Sequence, residues 1–326
     1  MSVDKSFVGL DVGAGHTRLV ALDLMEQGLR WLEAPGASMD LFGADGTAAM
    51  LAPLIRRLAS RDESEVVAAV AGADSALEQA SLAQALSRHL EGRQVRVVND
   101  AEAALVAEVP SGPALVVVAG SGANAMARGR DGQVVGLRAK GYLQGNDGGG
   151  LDLTRRALHV AFRAEEGSSE PTALVEEVLA VSGKASYDDL SEALSRDRLT
   201  LWFLIERVPP LVTRLAEAGD QVSRRLLAEM GEALAGSARA AAIKADLTDV
   251  AELPVVLAGG LFRACSPYLE EPFQRALASH LTRPSVRRLS RDPACGALLL
   301  AIGGRPELSG VVLAAPGPDR DEEAIG

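Results

Sequence analysis

The sequence predicts an α/β fold in two lobes, and three features of the chain predict it. Short apolar runs ending in an acid or in glycines alternate with stretches of helical spacing. A strand–glycine turn–strand unit occurs twice, near residue 11 and near residue 120. The 326 residues suit two packed domains better than one or three. Hydrophobic residues make up 48% but aromatic ones only 3%. The cores must therefore be built from Ala, Leu and Val, as around buried parallel strands.

Taken in order, residues 7–11 are a short apolar run and 18–23 read as its returning partner, so 6–24 make a β-hairpin. Met50, Leu51, Leu54, Ile55 and Leu58 fall at helical spacing within 47–60. Residues 66–70 form a buried strand stopping at Ala71-Gly72-Ala73-Asp74; a helix over 77–90 and a strand over 95–98, ending at Asn99-Asp100, follow. The second half opens in the same style. Strand Ala114–Ala119 breaks at Gly120-Ser121-Gly122 and resumes over 124–128, and Asp131-Gly132 marks a tight turn before Val134–Gly136. A duplicated fold places the two glycine turns face to face.

Residues 151–246 are mostly helical in pattern. The alanine-rich helix over 226–243 reads equally as an interface between copies and as plain core. Pro254–Ala258 is a further strand, ending in Gly259-Gly260. Pro293–Ile302 is apolar all round and should be a buried helix. From residue 305 to 326 the composition turns to Gly, Pro and acids, which reads as a disordered tail.

Composition also excludes several function classes. Two cysteines, Cys265 and Cys295, cannot supply a disulfide framework or a four-thiolate metal site. The four histidines (His16, His89, His159, His280) show no metal-ligand spacing. No charged-then-apolar leader and no membrane-length apolar stretch occurs, so a cytoplasmic protein without a membrane partner is expected. A net charge of −11 argues against nucleic acid as the partner.

A strand running into Asp11-Val12-Gly13-Ala14-Gly15-His16-Thr17 offers backbone N–H groups in a sharp turn. Glycines let a ligand approach closely, and such nests bind phosphate oxygens. Asp11 at the strand end suits a hydrated Mg²⁺ bridging those phosphates. An ordinary hairpin turn would look the same. Gly120-Ser121-Gly122 repeats the device with an added hydroxyl, and Gly259-Gly260 follows a third buried strand. The three together point to a nucleotide. Asp100, opening a helix at a strand end, suits a general base and equally a helix N-cap. Asp74 carries the same pair of readings. Asn124 bonds either a sugar hydroxyl or its own turn. The loop from Gly145 to Gly150 lies over a helix N-terminus, which favours an anionic or polyhydroxyl ligand, or is a flexible linker.

This ordered set of motifs resembles the BadF/BadG/BcrA/BcrD ATPase family, N-acetylglucosamine kinase-like, within the sugar kinase/actin/Hsp70 ATPase superfamily. The matching segments are Leu10-Asp11-Val12-Gly13, Val70-Ala71-Gly72-Ala73-Asp74, Asn99-Asp100-Ala101 and Gly120-Ser121-Gly122-Ala123-Asn124. They continue with Gly145-Asn146-Asp147-Gly148, Leu257-Ala258-Gly259-Gly260 and Asp292-Pro293-Ala294-Cys295-Gly296-Ala297.

The resemblance implies a two-lobed actin-like ATPase (duplicated ribonuclease H-like) fold with a ligand cleft between the lobes. It divides the chain into lobes 1–110 and 111–292, with the helix 293–304 packing back on the first. It implies ATP and Mg²⁺, and phosphate or nucleotide contacts at Asp11, Gly13, Gly15, His16, Thr17, Gly120, Ser121, Gly122, Gly259 and Gly260, with Asp11 also holding the metal. Substrate contacts fall on Asp40, Asp74, Asn99, Asn124, Gly145, Asn146 and Asp147. Asp100 is the implied general base, the partner a small-molecule amino sugar, and the assembly a homodimer. Gly15 and His16 stand where relatives carry Thr and Lys, Met39 where they carry Asn, and Asn146 where they carry Asp. These departures support a second reading, a nucleotide-binding protein with weak or lost transfer that acts as a sensor or scaffold.

Overall fold

The structure is a computed structural model that describes residues 6–24, 28–59 and 64–314. The chain divides into two compact units, one of residues up to Gly112 with those from Leu289 on, the other Pro113–Arg288.

The first unit opens with β1 (Ser6–Val12), β2 (His16–Asp23) and β3 (Gly28–Pro35). Helix α1 (Met39–Leu58), β4 (Glu65–Val70), α2 (Ala76–His89), β5 (Val95–Asn99) and α3 (Asp100–Glu108) follow. The sheet order is β3-β2-β1-β4-β5. β1 pairs antiparallel with β2, Val12 opposite Thr17, while β4 and β5 run parallel to it. The alternation of β1 sends Val8, Leu10 and Val12 to one face, where they meet Leu51, Ile55, Leu82 and Leu86 of α1 and α2. Phe7 goes to the other face, against Ala103 of α3 and the C-terminal helix.

The second unit repeats this plan. β6 (Ala114–Ala119), β7 (Ala123–Arg128) and β8 (Val134–Gly136) make the antiparallel part. Six helices follow: α4 (Gly150–Glu165), α5 (Leu174–Ser182), α6 (Tyr187–Arg196), α7 (Arg198–Ile205), α8 (Val208–Glu217) and α9 (Gln221–Lys244). Then come β9 (Pro254–Ala258), the short α10 (Gly260–Arg263), α11 (Pro267–Ala278) and β10 (Ser285–Arg288). The sheet order is β10-β9-β6-β7-β8, with β9 parallel to both β6 and β10. Strand for strand this is the order of the first sheet. On α9, Leu234, Ala235, Ala238, Ala241 and Ala242 are buried in the core of this same unit. Of the two readings of the alanine-rich face, core is the one observed.

The chain then returns to the first unit as α12 (Pro293–Ile302). Its all-round apolarity is explained by its neighbours, since it lies among β1, β4 and α3. The fit is close enough that a Cβ on Gly9 would stand 2.2 Å from the Leu298 amide nitrogen. Asp292 caps the helix, accepting from the Ala294 amide at 2.9 Å, and pairs with Arg18 at 3.0 Å. Where a structureless tail was expected from 305, Pro306–Ala314 forms α13. Val312 is buried there and Leu308 and Leu313 pack beside it, an apolar face that the Gly- and Pro-rich composition hid. The rest of that expected tail, and the first five residues read as lacking a leader, lie outside the described residues.

Candidate active site

In the first unit the candidate residues collect at the carboxyl ends of β1, β4 and β5, where open α/β sheets place their ligand loops. β1 turns into β2 through Gly13-Ala14-Gly15. The Gly13 amide donates to the His16 carbonyl at 2.9 Å, and the Ala37 amide to the Gly13 carbonyl at 3.1 Å. Gly36 backs the turn so tightly that a Cβ there would stand 1.9 Å from the Ala14 carbonyl oxygen. Among the described residues, no backbone carbonyl accepts from the Ala14 or Gly15 amides. Gly15 and His16 are exposed. The turn therefore leaves two amides that no backbone carbonyl takes, as a phosphate nest does. Thr17 is different: it is fully buried with its hydroxyl unpartnered, so that hydroxyl lies beneath the turn and not on its surface. Asp11 is buried on β1 just before the turn.

Four of the predicted polar residues come together beside this turn. Asp100 is the first residue of α3, and the N-cap is Asn99, whose Oδ1 accepts from the Ala101 amide at 3.0 Å. Asp100 Oδ1 accepts from the same amide at 2.9 Å. Asn99 Nδ2 donates to Asp74 Oδ1 at 2.9 Å. Asp74 is not a cap either, because Ser75 and Glu78 form the capping box of α2. Asp40 lies against the 71–74 turn: a Cβ on Gly72, whose φ is +86°, would stand 2.7 Å from the Asp40 Cγ. Half-buried Asp100 thus sits among carboxylates. Burial first, then the charge of Asp74 and a smaller one from Asp40, pushes its carboxyl up to about 6, against the pull of the Ala101 N–H.

In the second unit Gly120-Ser121-Gly122 links β6 to β7, closed by the Gly120 amide donating to the Gly122 carbonyl at 2.9 Å. Ser121 and Gly122 are exposed. Gly259 (φ +96°) stacks on the end of β6, where a Cβ would stand 2.4 Å from the Ala119 carbonyl oxygen, and Gly260 continues into α10. At the N-terminus of α4, where a ligand was expected, two of the amides are taken by protein. The Gly150 and Leu151 amides donate to the carbonyls of Gly120 and Ser121, at 2.8 and 2.9 Å. A helix N-terminus with two amides spent in this way has fewer donors left for an anion. Instead it fixes the 120–122 turn.

Of the other predicted contacts, Asn124 is buried on β7 and Gly145 is exposed in a left-handed turn. Asn146 is buried with its Nδ2 unpartnered, and Asp147 is ion-paired to Arg156 of α4, which also holds Glu229 at 2.9 Å. Sequence reasoning missed the supports: Gly36 behind one turn, Gly150 and Leu151 behind the other, and Arg156 on Asp147. A glycine just past a strand is the only signal that marks any of them. All four histidines are exposed. Among the described residues no group of three or more His, Cys, Asp or Glu could hold a metal ion, and no helix is long and apolar enough to cross a membrane.

Residues 8–301 match the family model of the BadF/BadG/BcrA/BcrD ATPase family. Over 245 residues the chain is 26% identical to an N-acetylmuramic acid/N-acetylglucosamine kinase of Clostridium acetobutylicum, covering 73% of this chain and 77% of that one. Over 315 residues it is 22% identical to an N-acetyl-D-glucosamine kinase of Dictyostelium discoideum, covering 92% and 98%. A crystal structure from Chromobacterium violaceum, provisionally described as an N-acetylglucosamine kinase, matches with a TM-score of 0.74 at 22% identity, covering 92% of this chain and 99% of that one. The likeness shows the fold, two α/β units of the actin-like ATPase type.

Proposed function

The chain belongs to the BadF/BadG/BcrA/BcrD ATPase family, and from that premise we propose that it is an ATP-dependent sugar kinase. It moves the γ-phosphoryl group of ATP to a hydroxyl of an amino sugar of the N-acetylglucosamine or glucosamine type, the class named for its relatives. The observation that carries this reading is Asp100, a half-buried carboxyl raised to about 6 at the end of a parallel strand.

Its carboxylate takes the proton of the sugar hydroxyl as the new O–P bond forms. The bond from the γ-phosphorus to the bridging oxygen breaks, and ADP leaves with that electron pair. A base with its pKa just below neutral is ionised at pH 7 and still basic enough to accept the proton. The Ala14 and Gly15 amides are donors for phosphate oxygens, and in the second unit, taken by itself, the exposed Ser121 hydroxyl beside its own glycine turn is a donor of the same kind. Asp11, at the end of β1 just before the turn, offers the hard oxygen donor that magnesium prefers and is the residue that would hold the ion. Bound there, magnesium supplies charge neutralisation for the phosphates.

The test is ADP release from ATP and Mg²⁺ across a panel of amino sugars and plain hexoses. Sugar-stimulated turnover is expected, falling by about 10²-fold or more in Asp100→Asn while calorimetric ATP binding persists. No stimulation by any sugar, or full activity in Asp100→Asn, defeats the reading.

A further inference from the structure

The turn over residues 71–74 is built to hold one carboxylate in place. The Ala73 amide donates to the Val70 carbonyl at 3.1 Å, Gln79 Nε2 donates to the Ala73 carbonyl at 3.1 Å, and Ser75 begins α2 with a capping box. Asp74 is left with no capping duty, and Asn99 Nδ2 grips its Oδ1 at 2.9 Å. The other end of the Asn99 amide accepts from the Ala101 N–H, which Asp100 also uses. One side chain, next in the chain to Asp100, therefore holds Asp74 and competes for a donor that would otherwise stabilise the Asp100 charge.

We propose that Asp74, clamped by Asn99, is a positioning residue whose negative charge adds to the basicity of Asp100. The inference rests on the kinase reading for its purpose, but not for its measurement. Of the charged groups of this unit near Asp100, Asp74 acts most strongly and Asp40 less. Glu102 on α3 is paired with Arg96 of β5 at 3.3 Å. Ahead of α12, Asp292 is paired with Arg18, and Arg291 lies by the Ala107 carbonyl at the far end of α3. β1 contributes Asp11 at its end. Asp74→Asn keeps an acceptor for the Asn99 amide and removes the charge, which separates the two roles.

The experiment follows the Asp100 carboxyl by ¹³C NMR titration of aspartate-labelled protein, assigned by its loss in Asp100→Asn. In Asp74→Asn the midpoint is expected to fall, weakening proton affinity by about threefold or more. In Asn99→Ser, which keeps a cap but is too short to hold Asp74, it falls by less. The acid limb of kcat/KM moves with the midpoint. An unmoved Asp100 midpoint in folded Asp74→Asn overturns the inference, and so does a normal midpoint in Asn99→Ser should Asp74→Asn fail to fold. Because titration needs no turnover, a shifted midpoint in a protein without sugar-stimulated ADP release sinks the kinase reading alone.

Discussion

Burial and the Asp74 charge lift the Asp100 carboxyl from 3.8 to about 6, and the same shift weakens folding at neutral pH. The folded chain binds this proton more tightly than the unfolded chain does. Stability from this group is therefore full below about pH 4, falls as the pH rises, and is lost above about 6. Asp100→Asn removes the charge and keeps an acceptor for the Ala101 amide. It should stabilise the protein by about 3 kcal/mol at pH 8 and by about 0.5 kcal/mol at pH 4. Urea unfolding at both pH values checks this, and equal gains at the two would contradict it. Gly15 invites the opposite experiment. A Cβ there meets nothing within 4 Å, and its φ is not in the left-handed region. Gly15→Thr should fold normally and place a hydroxyl beside the Ala14 and Gly15 amides. A hydrogen bond to a charged phosphate is worth about 1.5–3 kcal/mol, so the KM for ATP should fall about tenfold. An unchanged KM would mean that the turn does not hold phosphate.

Elements were legible in the sequence where burial was two-sided. β1, β4, β5, β6 and β9 announce themselves as Val-, Ala- and Leu-rich runs because both faces of each sheet are covered. The edge strands are quieter. β3 is mostly half-buried, with Arg30 and Glu33 among its residues, and β10 reads Ser-Val-Arg-Arg, so neither carries an apolar run. α1 begins eight residues before its helical spacing is visible, because Gly43 (φ +65°) breaks its first turn from the rest. The candidate site divides along the same line. Asp100, Asp74 and the two glycine turns were readable because strand ends are readable. Whether each acid was a cap was not, since that depends on Asn99 and Ser75 taking the caps. The spent N-terminus of α4 depends on carbonyls some thirty residues away in sequence, which no local pattern reveals.

At the scale of the whole chain, the two units differ in how their cores are assembled. The second is one continuous segment, Pro113–Arg288, and its core is drawn from that segment alone. The first has one sheet face covered largely by α12, from the far end of the chain, through Leu298, Leu299 and Ile302. Each of these buried side chains contributes about 1.5–3 kcal/mol. Together they supply about 5–9 kcal/mol, comparable to the whole stability of a domain, about 5–15 kcal/mol. Without α12, Phe7, Val20, Val67 and Ala103 would lose their cover. A fragment of residues 113–288 should therefore unfold cooperatively in urea, whereas a fragment ending at residue 112 should show no cooperative transition. Adding a peptide of residues 289–314 should restore one. Circular dichroism along the urea titration reads all three. A sharp transition in the fragment ending at residue 112, unchanged by the peptide, would show that α12 covers the sheet without holding it.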